Sequence, residues 1–386
     1  MTAVPQETLD QVRARLAVEG ADPTPDRVAA ALRSEGRVVG DATVLAVVDT
    51  LRRDVFGAGP LDPLLADDGV TDVVVNGPTD VYVDRGCGLE PSAVRFPDDA
   101  SVRRLAQRLA ASAGRRLDDA VPFVDVRLRD GTRFHAVLAP VAHPGTCLSL
   151  RVPARRAFTL AELVEMRAMP REGADLLAAL VEARLAFLIS GGTGTGKTTL
   201  LASLLSTVPA DQRLVVVEDS AELRPRHPHV VCLEARLANV EGAGEITLRD
   251  LVRQALRMRP DRLVVGETRG AEVVDMLAAM NTGHEGGCGT VHANSAADVP
   301  ARLEALAVAA GLSRDAAAAQ LAAAVDVVLH LGRGRDGRRR LQQVAVLERR
   351  GDIVSAVDAV LFDAEGRVST GEGARRLERL LHAELR

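Results

Sequence analysis

Residues Gly191-Gly192-Thr193-Gly194-Thr195-Gly196-Lys197-Thr198 follow the spacing G-x-x-x-x-G-K-[ST]. Few sequence features restrict a fold more, because this one works only where a strand ends and a helix begins. The glycines let successive backbone N–H groups curl round phosphate oxygens, and the helix start adds its positive dipole end. Residues 185–190 supply the apolar strand, and a helix is predicted to open near Thr198, with Thr199 in its first turn. The expected nucleotide-binding set is therefore Gly191, Gly192, Thr193, Gly194, Thr195, Gly196, Lys197, Thr198 and Thr199. Lys197 is expected at the β- and γ-phosphates of ATP, and the Thr198 hydroxyl on Mg²⁺. Among 48 basic residues Lys197 is the single lysine. A chain that uses arginine everywhere else keeps lysine where a compact ammonium must sit inside the loop and a planar guanidinium would not fit.

Around this motif the chain alternates strand and helix. Residues 185–190, 214–217 and 263–265 are near-continuous apolar runs, as in a parallel sheet buried on both faces. Helices are predicted from near Thr198, from Thr247 with Asp250 completing a capping box, and from Ala271. Residues 166–331 thus read as an α/β, doubly wound domain, and 332–386 as a hairpin capped by a helix. Thr159 and Glu162 fit a capping box at the end of a proline-punctuated linker, 153–165. Upstream, residues 56–152 read as a smaller α+β domain, with hairpins around Asn76-Gly77-Pro78 and Asp130-Gly131 and an amphipathic helix over 102–113. Residues 1–55 read as a helical segment broken at Pro23, Pro25 and Gly40.

Composition excludes several classes. A net charge of -5 argues against coating nucleic acid through overall charge, leaving only a local basic groove. Cys87, Cys147, Cys232 and Cys288 are isolated, with no C-x-x-C spacing, so neither a zinc ribbon nor a dithiol redox site is expected. A reduced cytosolic compartment follows. The first 16 residues lack an apolar core and no stretch reaches 18 apolar residues, so neither secretion nor membrane spanning is expected.

Carboxylates follow two of the strands. Glu218, Asp219 and Glu222 come after the second, and Glu267 ends the third, at the edge where open α/β sheets bind ligands. These strand-end carboxylates are expected to hold hydrated Mg²⁺, for which Glu218 and Asp219 are the candidates, and to orient the attacking water. His284 and His292 stand eight apart with glycines between them, which disfavours a helical metal pair and suits a γ-phosphate sensor.

The runs Glu218-Asp219-Ser220-Ala221-Glu222-Leu223, Gly244-Glu245-Ile246-Thr247-Leu248-Arg249-Asp250-Leu251, Arg257-Met258-Arg259-Pro260-Asp261-Arg262 through Glu267, and Met280-Asn281-Thr282-Gly283-His284 through His292-Ala293-Asn294-Ser295 resemble the secretion-ATPase superfamily. Within it the chain is most similar to the CpaF/TadA-type ATPases of Flp (tight-adherence) pilus and related type II/IV secretion systems, over about residues 50–331. The resemblance implies a RecA-like fold and a Mg-dependent homohexamer peripheral to the cytoplasmic face of the membrane. It would work with platform proteins and drive pilin assembly or export. It makes 218–222 the Asp box, Glu267 the Walker B glutamate and 284–292 the His box, with Glu222 and Glu267 the candidates for orienting or activating water. It also implies phosphate contacts for Arg133 and Arg151, and roles across a subunit boundary for Arg224 and Arg236. Gly289 departs from the family's commoner threonine, and Gly287-Cys288 from Ser-Leu. The rival expectation is a nucleic-acid motor, with seven arginines against two acids in residues 333–350 as its footprint.

Overall fold

The computed structural model describes residues 25–34, 44 and 57–384, apart from 87, 129, 154, 155, 237, 239–242, 284 and 335. Most of the expected N-terminal helical segment lies outside the described residues. Within it, α1 (Pro25–Ser34) buries Val28, Ala29, Ala31 and Leu32. The chain divides into two units, Met1–Pro153 and Ala154–Arg386.

The first unit contains α2 (Asp62–Leu65), α3 (Asp99–Ser112) and six strands: β1 (Asp72–Asn76), β2 (Val81–Asp84), β3 (Leu89–Pro91), β4 (Phe123–Arg127), β5 (Arg133–Val137) and β6 (Cys147–Arg151). They form one antiparallel sheet in the order β3-β2-β1-β6-β5-β4. Period-two alternation sends Val73, Val75, Val81, Val83, Phe134, Ala136, Leu148 and Leu150 to one face. There they share a core with Val102, Leu105, Ala106 and Leu109 of α3. Asp98 caps that helix through the Ser101 amide, starting it earlier than its apolar spacing alone indicated.

The second unit is built on nine strands. These are β7 (Phe187–Gly191), β8 (Leu214–Glu218), β9 (Val230–Glu234), β10 (Arg262–Thr268), β11 (Cys288–Val291), β12 (Val327–Arg333), β13 (Arg339–Arg350), β14 (Ile353–Phe362) and β15 (Val368–Thr370). Their order is β15-β14-β13-β12-β7-β11-β10-β8-β9. The run from β12 to β9 is parallel throughout, and β13 to β15 extend it antiparallel. The expected tail hairpin is thus continuous with the main sheet, because β12 pairs with β7 on one side and β13 on the other. Helices α4 (Leu160–Glu165), α5 (Arg171–Glu182), α6 (Lys197–Leu205), α7 (Leu248–Ala255), α8 (Glu272–Met280), α9 (Val299–Ala309), α10 (Arg314–Ala324) and α11 (Ala374–Glu384) complete it. Apolar groups from α5, α6 and α11 join one core with Phe187 and Ile189, while α7 to α10 join a second with Leu188 and Val215. Alternate residues of the same strands feed opposite cores, so the central strands are buried on both faces and carry long apolar runs. Both predicted capping boxes form: Thr159 with Glu162 and Thr247 with Asp250.

Candidate active site

Strand β7 delivers the chain to the carboxyl edge of the parallel sheet, and the glycine-rich loop turns there. Gly191 has φ +152°, and a Cβ on it would lie 2.5 Å from the Leu331 carbonyl oxygen, so no larger residue fits between β7 and β12. Gly194 and Gly196 have φ of +70° and +94°, left-handed backbone that glycine adopts without strain. The Thr195 hydroxyl donates to the Gly192 carbonyl at 2.9 Å and pins the curl. Gly196 is the N-cap of α6, and Lys197 opens the helix.

Lys197 is buried, and its Nζ donates to the carbonyls of Gly191 (3.0 Å) and Gly192 (2.9 Å). Burial lowers its pKa, opposed by the charge of Glu267. Its third neighbour is His292 Nδ1, at 3.5 Å. On the far side of the ring, His292 Nε2 contacts Glu267 Oε1, and Arg269 grips Glu267 Oε2. A lysine can only donate and a carboxylate can only accept, so a neutral ring with its proton on Nε2 would suit both neighbours, although Glu267 Oε1 accepts no hydrogen bond in this arrangement. Burial, followed by the Lys197 charge, lowers the pKa of His292 below its ordinary 6.5 and favours that state. Arg269 also reaches toward Asp219 at 3.9 Å, joining the ends of β10 and β8.

Glu218 has a different occupation from the one its position suggested. It is buried, and Oε1 accepts from the backbone amides of Glu222 and Leu223, both at 3.1 Å. It anchors the turn that carries Glu222. Gly266 permits this, since a Cβ there would sit 2.5 Å from Glu218 Cγ. Among the described residues no cluster of three or more His, Cys, Asp or Glu side chains could by itself hold a metal. The donor set still fits Mg²⁺, which is commonly held by one or two protein oxygens together with substrate phosphates and water. Thr198, the second residue of α6, would supply the oxygen.

The expected His box is divided by a strand. His284 lies outside the described residues. Its neighbours Gly283 and Glu285 precede β11, whereas His292 follows β11 at the carboxyl edge; the start of β7 at Phe187 donates to Gly287 at 3.2 Å. Arg133 pairs with Asp125 through both nitrogens (3.2 and 2.7 Å), and Arg151 with Asp72 at 3.1 Å, on neighbouring strands of the first unit. Arg236 Nε donates to Gly244 at 2.7 Å, and Arg224 is exposed. Arg269 was missed in the sequence, although its place two residues after Glu267 at a strand end marks it as a neighbour of that carboxylate. Also missed was the buried pair Ser190 Oγ and His330 Nδ1, 2.9 Å apart on β7 and β12 just beneath the loop.

A lysine inside a phosphate loop, linked through one imidazole to a strand-end glutamate, puts the chain among the P-loop ATPases. More narrowly, it belongs to the type II/IV secretion system protein family, whose sequence model matches residues 55–375. A putative conjugal transfer protein of Mycobacterium tuberculosis is 59% identical over 326 residues, covering 83% of this chain and 93% of its own. Conjugal transfer protein TrbB of Rhizobium radiobacter is 30% identical, with 71% of this chain and 83% of its own aligned. The ATPase DotB of Legionella pneumophila shares the fold at TM-score 0.53 and 19% identity, over 84% of this chain and 85% of its own. Among the described residues no helix is long and apolar enough to cross a membrane.

Proposed function

We propose that this chain is the ATP-hydrolysing motor of a type II/IV secretion or Flp-type pilus system. It would work as a homohexamer at the cytoplasmic face of the membrane, against platform proteins, to assemble pilin or export a substrate. The observation that carries the reading is the Lys197–His292–Glu267 chain at the loop. Lys197 would hold the terminal phosphates, and bound Mg²⁺ would neutralise their charge. Glu267 would orient the attacking water and accept its proton. His292 lies between Lys197 and Glu267, so displacement of the lysine by a phosphate would be felt at the carboxylate through the imidazole. Glu222, positioned through Glu218, is the alternative water-orienting residue. Arg133, Arg151, Arg224 and Arg236 are exposed and would meet phosphates of their own or a neighbouring copy's nucleotide.

Glu267→Gln should leave ATP binding near wild type and slow hydrolysis about 10²-fold or more. Lys197→Ala should abolish hydrolysis with the fold intact by circular dichroism. Undiminished turnover in either variant would sink the corresponding assignment. The conjugal-transfer names of two relatives favour a second reading, a motor on nucleic acid. Stimulation of ATPase activity by DNA at physiological salt would put that reading first.

A further inference from the structure

We propose that Arg333 and Arg339, on the hairpin joining β12 to β13, bind the phosphates of the nucleotide held by the same chain's loop. The inference rests on that loop being the nucleotide site. Its starting point is the register: Leu331 pairs with Gly191, so β12 runs alongside β7 and overshoots it where the loop begins. Beyond Gly332 and Arg340, Arg333 and Arg339 form the last opposed pair of β12 and β13 before the turn. An ideal Cβ on Gly194 would lie 3.9 Å from Arg333 Nη2, and one on Gly196 would lie 3.7 Å from Arg339 Cδ. Both side chains therefore border the stretch of loop that presents backbone N–H groups to phosphate.

Two like charges directly opposite each other on adjacent strands destabilise a hairpin, and among the described residues no carboxylate pairs with either one. The turn has one carboxylate, Asp336, which is taken by Arg340 at 2.9 Å and approached by Arg338 at 3.9 Å. Neither Arg333 nor Arg339 has an ion-pair partner among the described residues, and the Nε of Arg339 is buried without a hydrogen-bond partner. A buried guanidinium N–H without an acceptor is a costly arrangement that a phosphate oxygen would relieve. The planar fork of arginine suits this role, whereas the point charge of Lys197 suits the inside of the loop. The hairpin that first read as a nucleic-acid footprint thus has two of its arginines at the nucleotide.

The test uses the full-length protein. Arg333→Gln and Arg339→Gln should each raise the ATP KM about tenfold, and the double variant further, with an unchanged thermal midpoint. ADP affinity, read by displacement of a fluorescent ADP, should fall in parallel and lose part of its salt dependence. Arg339→Lys, which keeps the charge and removes the fork, should fall between; it also stands in if Arg339→Gln does not fold. Arg338→Gln, the same charge change on the same turn, should leave KM alone. Wild-type KM and ADP affinity in the double variant overturn the proposal, including when DNA binding is lost instead. Retained hydrolysis in Lys197→Ala would be a separate failure, of the loop assignment itself.

Discussion

His292 joins the two charged groups of the site, and its protonation state decides whether they communicate. As a neutral ring it can accept from Lys197 and donate to Glu267; as imidazolium it would face the lysine with a like charge. Its lowered pKa means the folded protein resists protonating it more than the unfolded chain does. The stabilisation it contributes is therefore present above about pH 6.5 and is lost as pH falls through the lower folded value. We expect the kcat profile to hold below pH 6.5 before an acid limb appears, and His292→Asn to remove that limb while lowering kcat. An unaltered acid limb in the variant would assign it to another group. At this scale the loop, Lys197 and Glu267 were legible because motif spacing fixes them. The hold of Glu218 on its own turn was not legible, because a strand-end carboxylate looks the same in sequence whether it faces a metal or accepts from backbone amides.

At the scale of elements, the helices with capping boxes were readable because Thr159 and Glu162, or Thr247 and Asp250, carry their whole signal within four residues. Strand β9 and especially β11 were not. β11 begins Cys288-Gly289, and glycine there reads as loop until its neighbour is known. In the sheet a Cβ on Gly289 would lie 2.5 Å from the Val265 carbonyl oxygen, beside the register shift between Val265 and Thr268. The departure from the family's threonine is thus matched by a close backbone approach. Gly289→Thr should destabilise the protein by about 1–3 kcal/mol in chemical denaturation, because a backbone oxygen cannot swing aside. Wild-type stability would show that β10 yields. Cys288, the other half of the departure, is a core residue whose thiol burial pushes up to about 12, so it serves packing.

For the whole molecule, the proposed ring makes assembly and turnover measurable together. Size-exclusion with light scattering should give six copies in Mg-ATP, and specific ATPase activity should rise with protein concentration. A monomer at saturating ATP with full activity would overturn the ring. The layout of the two units was legible where hydrophobic period changes, but the continuity of the tail with the main sheet was not, since strand pairing over long sequence separation leaves no local mark. That continuity has a mechanical consequence. β12 is bonded to β7 over five successive positions and to β13 along its length with one register shift at His330, so a hydrogen-bonded ribbon runs unbroken from the C-terminal strands to the phosphate loop. A pull on the tail strands would act on the loop as on a stiff lever, making the far end of this chain a place where load could set the pace of nucleotide exchange.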